Sequence, residues 1–242
     1  MGLTRRQAIM ASLSAIALGG CSSTARTSSH PRPVPGWPGY PANPSNRTGY
    51  TQVQAPYPRQ PIVQPNTPSA VNPVAGVAAI SRSKWTRTNP VKSKVNAMNG
   101  ISKITIHHDG MDPSYITNKA SVAERIEKIR KYHVGNNNWG DIGYHYIVDR
   151  AGRVWEGRPI QYQGAHVRNN NEHNVGILVM GNFDKQSPSS AQLKSLYSTT
   201  AALTTPYKVK TALVRSHQEI NKTACPGKNL QKQMNALRRN VG

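Results

Sequence analysis

The sequence has no acidic residue before Asp109, although the chain is 242 residues long and carries 31 lysine and arginine side chains. All ten carboxylates lie between Asp109 and Glu219, and residues 81–242 still keep a net charge of +15. A field of this sign attracts polyanions. Composition alone therefore leaves nucleic acid and an anionic cell envelope as the two candidate partners.

The sequence also lacks a long apolar run near its N-terminus. The basic pair Arg5-Arg6 is followed by an apolar stretch over residues 7–18, which is too short to span a bilayer and is typical of an export signal. The Leu-Gly-Gly-Cys run that ends at Cys21 resembles a bacterial lipobox, whose cysteine receives the lipid. We therefore expect residues 1–21 to be a lipoprotein-type signal peptide, with a plain secretory signal as the alternative.

Export determines which partner the positive charge has. The Arg5-Arg6 pair also resembles a twin-arginine export signal, so the export route stays open. We expect a cell-envelope lipoprotein that faces the periplasm and is anchored to the membrane through Cys21. This location excludes nucleic acid as the natural partner of the basic domain.

Cysteine is scarce, because the chain contains only Cys21 and Cys225. A disulfide between them is allowed by their number. Lipidation of Cys21 would leave Cys225 as an unpaired thiol in a compartment that can be oxidising. Metal ligation would explain a cysteine at that position.

Residues 22–80 contain no carboxylate, and twelve of the 18 prolines lie between Pro31 and Pro73. Such a segment buries too little apolar surface to offset its chain entropy. We predict a disordered, proline-rich linker with polyproline II character, which would let a folded domain reach away from a membrane.

The pattern changes at residue 81, where apolar periodicity begins. Helices are predicted over 119–133, 189–203 and 228–239, and strands over 103–108, 144–148, 154–156, 175–180 and 213–216. Strands interleaved with helices indicate an α/β fold. We predict that residues 81–242 form a single domain with a central mixed β-sheet flanked by helices.

Two histidines and a cysteine follow predicted strands. His107 ends one strand, His217 follows another, and Cys225 lies eight residues beyond His217. Two imidazoles and one thiolate are a donor set that a catalytic zinc ion accepts, with a fourth position left for water. The pattern predicts a site for one Zn²⁺.

The order of several short segments resembles the type 2 N-acetylmuramoyl-L-alanine amidases, the family of the phage lysozyme amidases and the peptidoglycan recognition proteins. The matching segments begin at Ile104, Asp141, Gly164, Asn174 and His217, and together they fall within residues 81–242. The resemblance implies zinc-dependent hydrolysis of the amide bond between N-acetylmuramic acid and L-alanine in peptidoglycan. The alternative is a peptidoglycan-binding module that does not cleave.

The resemblance also implies roles for individual residues. It assigns the zinc ligands to His107, His217 and Cys225, with His108 as the alternative to His107, since neighbours on a strand point to opposite faces. It makes Tyr144 and Thr223 the catalytic donors to the substrate carbonyl. Contacts to substrate are expected from four further residues, namely His145, His166, Trp139 and Arg168. We expect the protein to be a monomer that binds peptidoglycan.

Overall fold

The computed structural model describes residues 76–241; the predicted signal peptide, Cys21 and residues 22–75 of the linker lie outside this range. The strands are β1 (Ala79–Ile80), β2 (Lys103–His108), β3 (Tyr146–Val148), β4 (Val154–Glu156), β5 (Asn174–Val179) and β6 (Val214–Ser216). The α-helices are α1 (Lys119–Gly135), α2 (Ser190–Tyr207), α3 (Lys228–Gln231) and α4 (Met234–Val241). None of the helices among these residues is long and apolar enough to cross a membrane.

One six-stranded sheet forms the centre of the domain, in the order β1–β4–β3–β5–β2–β6. The strand β2 pairs in parallel with both β5 and β6, and β3 pairs in parallel with β5. The hairpin partners β3 and β4 are antiparallel, which makes the sheet mixed, as predicted. Parallel pairing of β6, β2 and β5 brings their carboxyl ends to one edge of the sheet, where His107 and His217 lie.

Helices cover both faces of the sheet, so the core consists of two parts, one on each face. The helix α1 contributes Val122, Ile126 and Ile129, which pack with Trp155 and Leu178 on one face. The helices α2 and α4 cover the other face with a separate set of buried side chains, which includes Leu196, Leu203 and Leu237. The predicted α/β class with flanking helices is confirmed.

Each of the two long helices is preceded by a residue whose side chain caps the helix N-terminus. The Asn118 side chain accepts hydrogen bonds from the first backbone N–H groups of α1, and Ser189 does the same for α2. The Gln192 side chain bonds back to the Ser189 N–H, which completes a capping box. The capping box thus fixes the start of α2 at Ser189, where the predicted helix also begins.

Two elements differ from the prediction. Val77 is buried in the core and β1 pairs with β4, so sheet structure begins before residue 81. The predicted closing helix is divided into α3 and α4, because the Gln233 N–H bonds to the Leu230 carbonyl at 2.9 Å in a tighter turn that interrupts the helical ladder. A strand of two residues carries too little periodicity to be found in a sequence.

Candidate metal centre

The alternation of β2 separates its last two histidines. The ring of His107 lies on the α1 side of the sheet, with its centroid 5.2 Å from that of Tyr144. The ring of His108 lies on the other side, stacks on Phe183, and accepts a hydrogen bond from the Phe183 N–H at 3.2 Å. His107, and not the alternative His108, therefore faces the other candidate ligands.

The loop after β6 brings His217 and Cys225 together. His217 opens a short 3₁₀ turn, and the Gln218 N–H donates to the Cys225 carbonyl at 2.8 Å, which closes the loop. Cys225 Sγ lies 3.6 Å from His107 Nδ1. One ligand atom from each of His107, His217 and Cys225 lies within 4.8 Å of the others. Residues separated by up to 118 positions thus converge on a candidate metal site.

Burial determines the protonation of these groups. It lowers the pKa of His107 well below its ordinary value, assisted by the neighbouring His217, and lowers the pKa of His217 to about 4. Both imidazoles are therefore neutral near pH 7 and keep a lone pair for a metal. Burial raises the pKa of the Cys225 thiol to about 12, so a thiolate at this position requires a bound cation.

The surroundings of the thiol also fit a metal ligand. The backbone N–H of His108 donates to Cys225 Sγ at 3.4 Å, and Thr223 Oγ1 accepts from the Cys225 N–H at 3.2 Å. The first contact favours a negatively charged sulfur. Two neutral imidazoles and one buried thiol in such a setting match the donor set of a zinc site.

The two predicted catalytic residues each lie beside one of the candidate ligands. Tyr144 is buried beside His107, two residues before β3 begins, and its ring also approaches His133 at 5.7 Å between centroids. Thr223 is half-buried in the loop that carries Cys225. Its hydroxyl accepts a bond from the Cys225 N–H and still has its proton to donate.

His145 and His166 correct the sequence prediction, because neither is placed to contact a substrate. Each is about 2% exposed. Both ring nitrogens of His145 bond to backbone, Nδ1 to the Gly176 N–H and Nε2 to the Tyr162 carbonyl. The ring of His166 lies between His107 and β5. Both histidines therefore support the site from within the protein core.

Trp139 and Arg168 lie nearer the surface. Trp139 is half-buried, with its ring 4.6 Å from that of His133. Arg168 is exposed, and its carbonyl accepts from the Asn221 side chain, which fastens its loop to the loop of Cys225. Their contact with a substrate stays a prediction.

Arg158 is a site-supporting residue that no sequence pattern indicates. Its buried guanidinium donates to three backbone carbonyls, those of Ile142 at 2.8 Å, Gln163 at 2.5 Å and Asp141 at 3.1 Å. Burial lowers its pKa to about 10. These bonds hold together the two loops that carry Tyr144 and His166.

The fold and the site define a class of protein: a mixed-sheet α/β domain with a candidate two-histidine, one-cysteine metal centre at the edge of its parallel strands. A family model described as N-acetylmuramoyl-L-alanine amidase matches residues 97–228. The chain belongs to this family.

Individual relatives agree with this assignment. The chain is 33% identical over 160 residues to peptidoglycan-recognition protein SC2 of Drosophila melanogaster, covering 65% of this chain and 84% of the relative. It is 29% identical over 128 residues to the N-acetylmuramoyl-L-alanine amidase of Homo sapiens, covering 50% of this chain and 22% of that protein. The solved structure of bumblebee PGRP-SA is 29% identical, with a TM-score of 0.59 over 65% of this chain and 93% of that one.

Proposed function

We propose that this protein is a zinc-dependent amidase that hydrolyses the bond between N-acetylmuramic acid and L-alanine in peptidoglycan. The convergence of His107, His217 and Cys225 carries the proposal, since their ligand atoms lie within 4.8 Å of one another. Membership of the amidase family supplies the substrate class.

The residues around the centre fit amide hydrolysis. A bound zinc ion would supply Lewis-acid polarisation of the carbonyl and a lowered pKa for its water. The Tyr144 phenol, next to His107, donates a hydrogen bond to the oxygen on which negative charge develops. The Thr223 hydroxyl, which already accepts from the Cys225 N–H, is the second donor to that oxygen. Water is added across the amide bond: its oxygen stays on the lactyl carboxyl group as the C–N bond breaks, and a proton from the water goes to the amine of L-alanine, which leaves with the stem peptide.

Peptidoglycan recognition without cleavage is the second candidate function. It is favoured by the similarity to a protein named for peptidoglycan recognition, at 33% identity. The presence of Cys225 and Tyr144 next to His107 favours cleavage, because binding alone needs neither a thiol ligand nor a buried phenol at a metal site.

Digestion of purified peptidoglycan tests the two functions. The full-length chain, in mild detergent, is assayed for bound zinc and for release of stem peptides by mass spectrometry. Free peptides that begin with L-alanine are expected from the wild type. Cys225→Ser is the control variant, and we expect it to lose both the zinc and the cleavage.

The outcomes separate the candidates. Cleavage that depends on zinc and on Cys225 supports the amidase. Tight wall binding by a zinc-loaded wild type that releases no peptide supports recognition alone. A wild type that neither holds zinc nor binds the wall contradicts both.

We further propose that the protein is exported and anchored to the cell envelope by a lipid on Cys21, with residues 22–75 as part of the tether. The basic pair, the apolar stretch and the cysteine in the sequence support this location. Metabolic labelling with a radioactive fatty acid would label the wild type and leave Cys21→Ser unlabelled. Labelling of both proteins would contradict the anchor.

A further inference from the structure

A chain of hydrogen bonds connects the candidate ligand His107 to the backbone of β5. His107 Nε2 lies 3.0 Å from His166 Nδ1, and His166 Nε2 lies 3.1 Å from the carbonyl oxygen of Asn174. All three groups are buried. Water therefore does not compete for these bonds, and their donors and acceptors must match.

The direction of the chain follows from its last member. The carbonyl of Asn174 can only accept, so the proton of a neutral His166 ring lies on Nε2. His166 Nδ1 is then an acceptor, and the proton of His107 must lie on its own Nε2. The lone pair of His107 is consequently on Nδ1, the atom that lies 3.6 Å from Cys225 Sγ.

The surrounding structure fixes the ring of His166 in this position. The N–H groups of His166 and Val167 both donate to Asn171 Oδ1, at 2.8 and 2.9 Å. Gly164 and Gly176 leave space for the ring, since a Cβ added to either would approach His166 Cδ2 to 2.2 and 2.6 Å respectively. This packing holds the plane of the ring, and the hydrogen bonds of Nδ1 and Nε2 favour the observed orientation over one turned through 180°, which would place carbon atoms at both partners.

We propose that His166 is a positioning residue that selects the tautomer and the orientation of His107, so that Nδ1 presents its lone pair to the metal. The inference rests on the proposed zinc site and deepens it. The residue acts through His107 and touches neither metal nor substrate. Partners that orient a ligating histidine in this way typically change metal affinity by roughly 10- to 100-fold when they are removed.

Two substitutions of His166 distinguish the effect of its Nδ1 acceptor from the effect of its ring volume. His166→Phe keeps a ring in the space but removes the acceptor, and we expect zinc affinity to fall by roughly 10- to 100-fold. His166→Asn places an amide oxygen near the position of Nδ1, and we expect it to restore most of that affinity. Zinc affinity is measured on the full-length chain by competition with a chromophoric chelator, and the unfolding temperature of each metal-free protein checks its folding.

A measurement on the unsubstituted protein tests the inference without any risk of misfolding. Long-range proton–nitrogen correlation spectra of the full-length chain, labelled with ¹⁵N-histidine and freed of metal, report which ring nitrogen carries the proton. We expect protonated Nε2 and bare Nδ1 for both His107 and His166. A proton on Nδ1 of His107 would overturn the inference.

The affinities also distinguish this inference from the proposed function. If the wild type binds zinc no better than Cys225→Ser, the zinc site itself is wrong. If the wild type binds tightly and His166→Phe binds equally tightly, the zinc site stands and the role of His166 is wrong. Equal losses in His166→Phe and His166→Asn, with both proteins folded, also contradict the acceptor role.

Discussion

Gly176 of β5 and His166 are in direct contact, because the histidine ring occupies the space where any other residue would place its Cβ. That atom would lie 2.6 Å from His166 Cδ2 and 2.8 Å from Nε2. Real Cβ contacts are longer, so a side chain at position 176 and the observed ring position exclude each other. Gly176 therefore determines where the His166 ring, which is hydrogen-bonded to His107, can lie.

Gly176→Ala is expected to destabilise the protein by about 1–3 kcal/mol, since a methyl group inserted in this packed core forces the His166 ring or the strand to move. Urea unfolding of the metal-free protein measures the change. Gly135→Ala is the matched control, because nothing lies within 4 Å of a Cβ added at that helical position. Equal stabilities of the two variants would show that the His166 ring does not prevent a side chain at position 176.

Tyr144→Phe is expected to lower kcat for stem-peptide release by roughly 100- to 1000-fold, the effect of losing one donor to a developing oxyanion. Zinc content should stay close to wild type, because the ring beside His107 is kept. Tyr197→Phe, on the opposite face of the sheet, is the control and should keep full activity. A fully active Tyr144→Phe would assign catalysis to another donor.

The elements with strong periodicity could be predicted from the sequence. Val122, Ile126 and Ile129 recur at helical spacing and are buried on α1 as expected. The alternation in β2 likewise separates His107 from His108. These predictions succeed because they depend on the regular geometry of a single element.

The supporting residues could not be predicted, because their roles depend on contacts between distant segments. His145 and His166 resemble groove residues in sequence, yet their burial follows from glycines and carbonyls of other loops. Arg158 donates to the carbonyls of Ile142 and Gln163, and a backbone acceptor leaves no mark in the sequence. Such roles are visible only once the chain is folded.

Arg158→Lys is expected to destabilise the fold by more than about 3 kcal/mol. A lysine reaches fewer of the carbonyls that the guanidinium binds, and each buried acceptor left unpaired costs about 1–3 kcal/mol. Thermal unfolding measures the loss. Arg215→Lys is the control, since that arginine is exposed and donates only to the nearby Ala212 carbonyl. Similar unfolding temperatures for both variants would contradict the role of Arg158.

Removal of zinc is expected to lower the unfolding temperature of the wild type and to leave Cys225→Ser unchanged. A ligand that binds only the folded state adds about 2.7 kcal/mol when its free concentration is 100 times its dissociation constant. Scanning calorimetry with and without a chelator measures the difference. A chelator effect of the same size in Cys225→Ser would place the bound metal elsewhere in the chain.

The stability of the metal-free protein is expected to fall as the pH is lowered from 7 towards 4, because buried histidines resist protonation. Burial lowers the pKa of His145 from its ordinary 6.5 to about 4, and that of His133 to about 3. Above pH 6.5 both residues are neutral in the folded and unfolded chain, so they add no pH dependence. Below it the unfolded chain binds protons that the folded chain does not, which favours unfolding until the folded-state pKa is reached. For His145 the difference amounts to on the order of 3 kcal/mol.

His145→Gln isolates this contribution, because an amide can still donate to the Tyr162 carbonyl without titrating. The variant is expected to be less stable than the wild type at pH 7, because it lacks the hydrogen bond to the Gly176 N–H and no titration of His145 offsets this loss. The difference in free energy of unfolding between the two proteins should become smaller as the pH falls through 6.5 towards 4. Only the wild type loses stability over this range at position 145, because its unfolded chain binds a proton there that its folded chain does not. Urea unfolding of both metal-free proteins between pH 7 and pH 5 measures the gap before the carboxylates begin to titrate. Parallel stability curves would show that His145 takes up its proton in the folded protein as readily as in the unfolded chain.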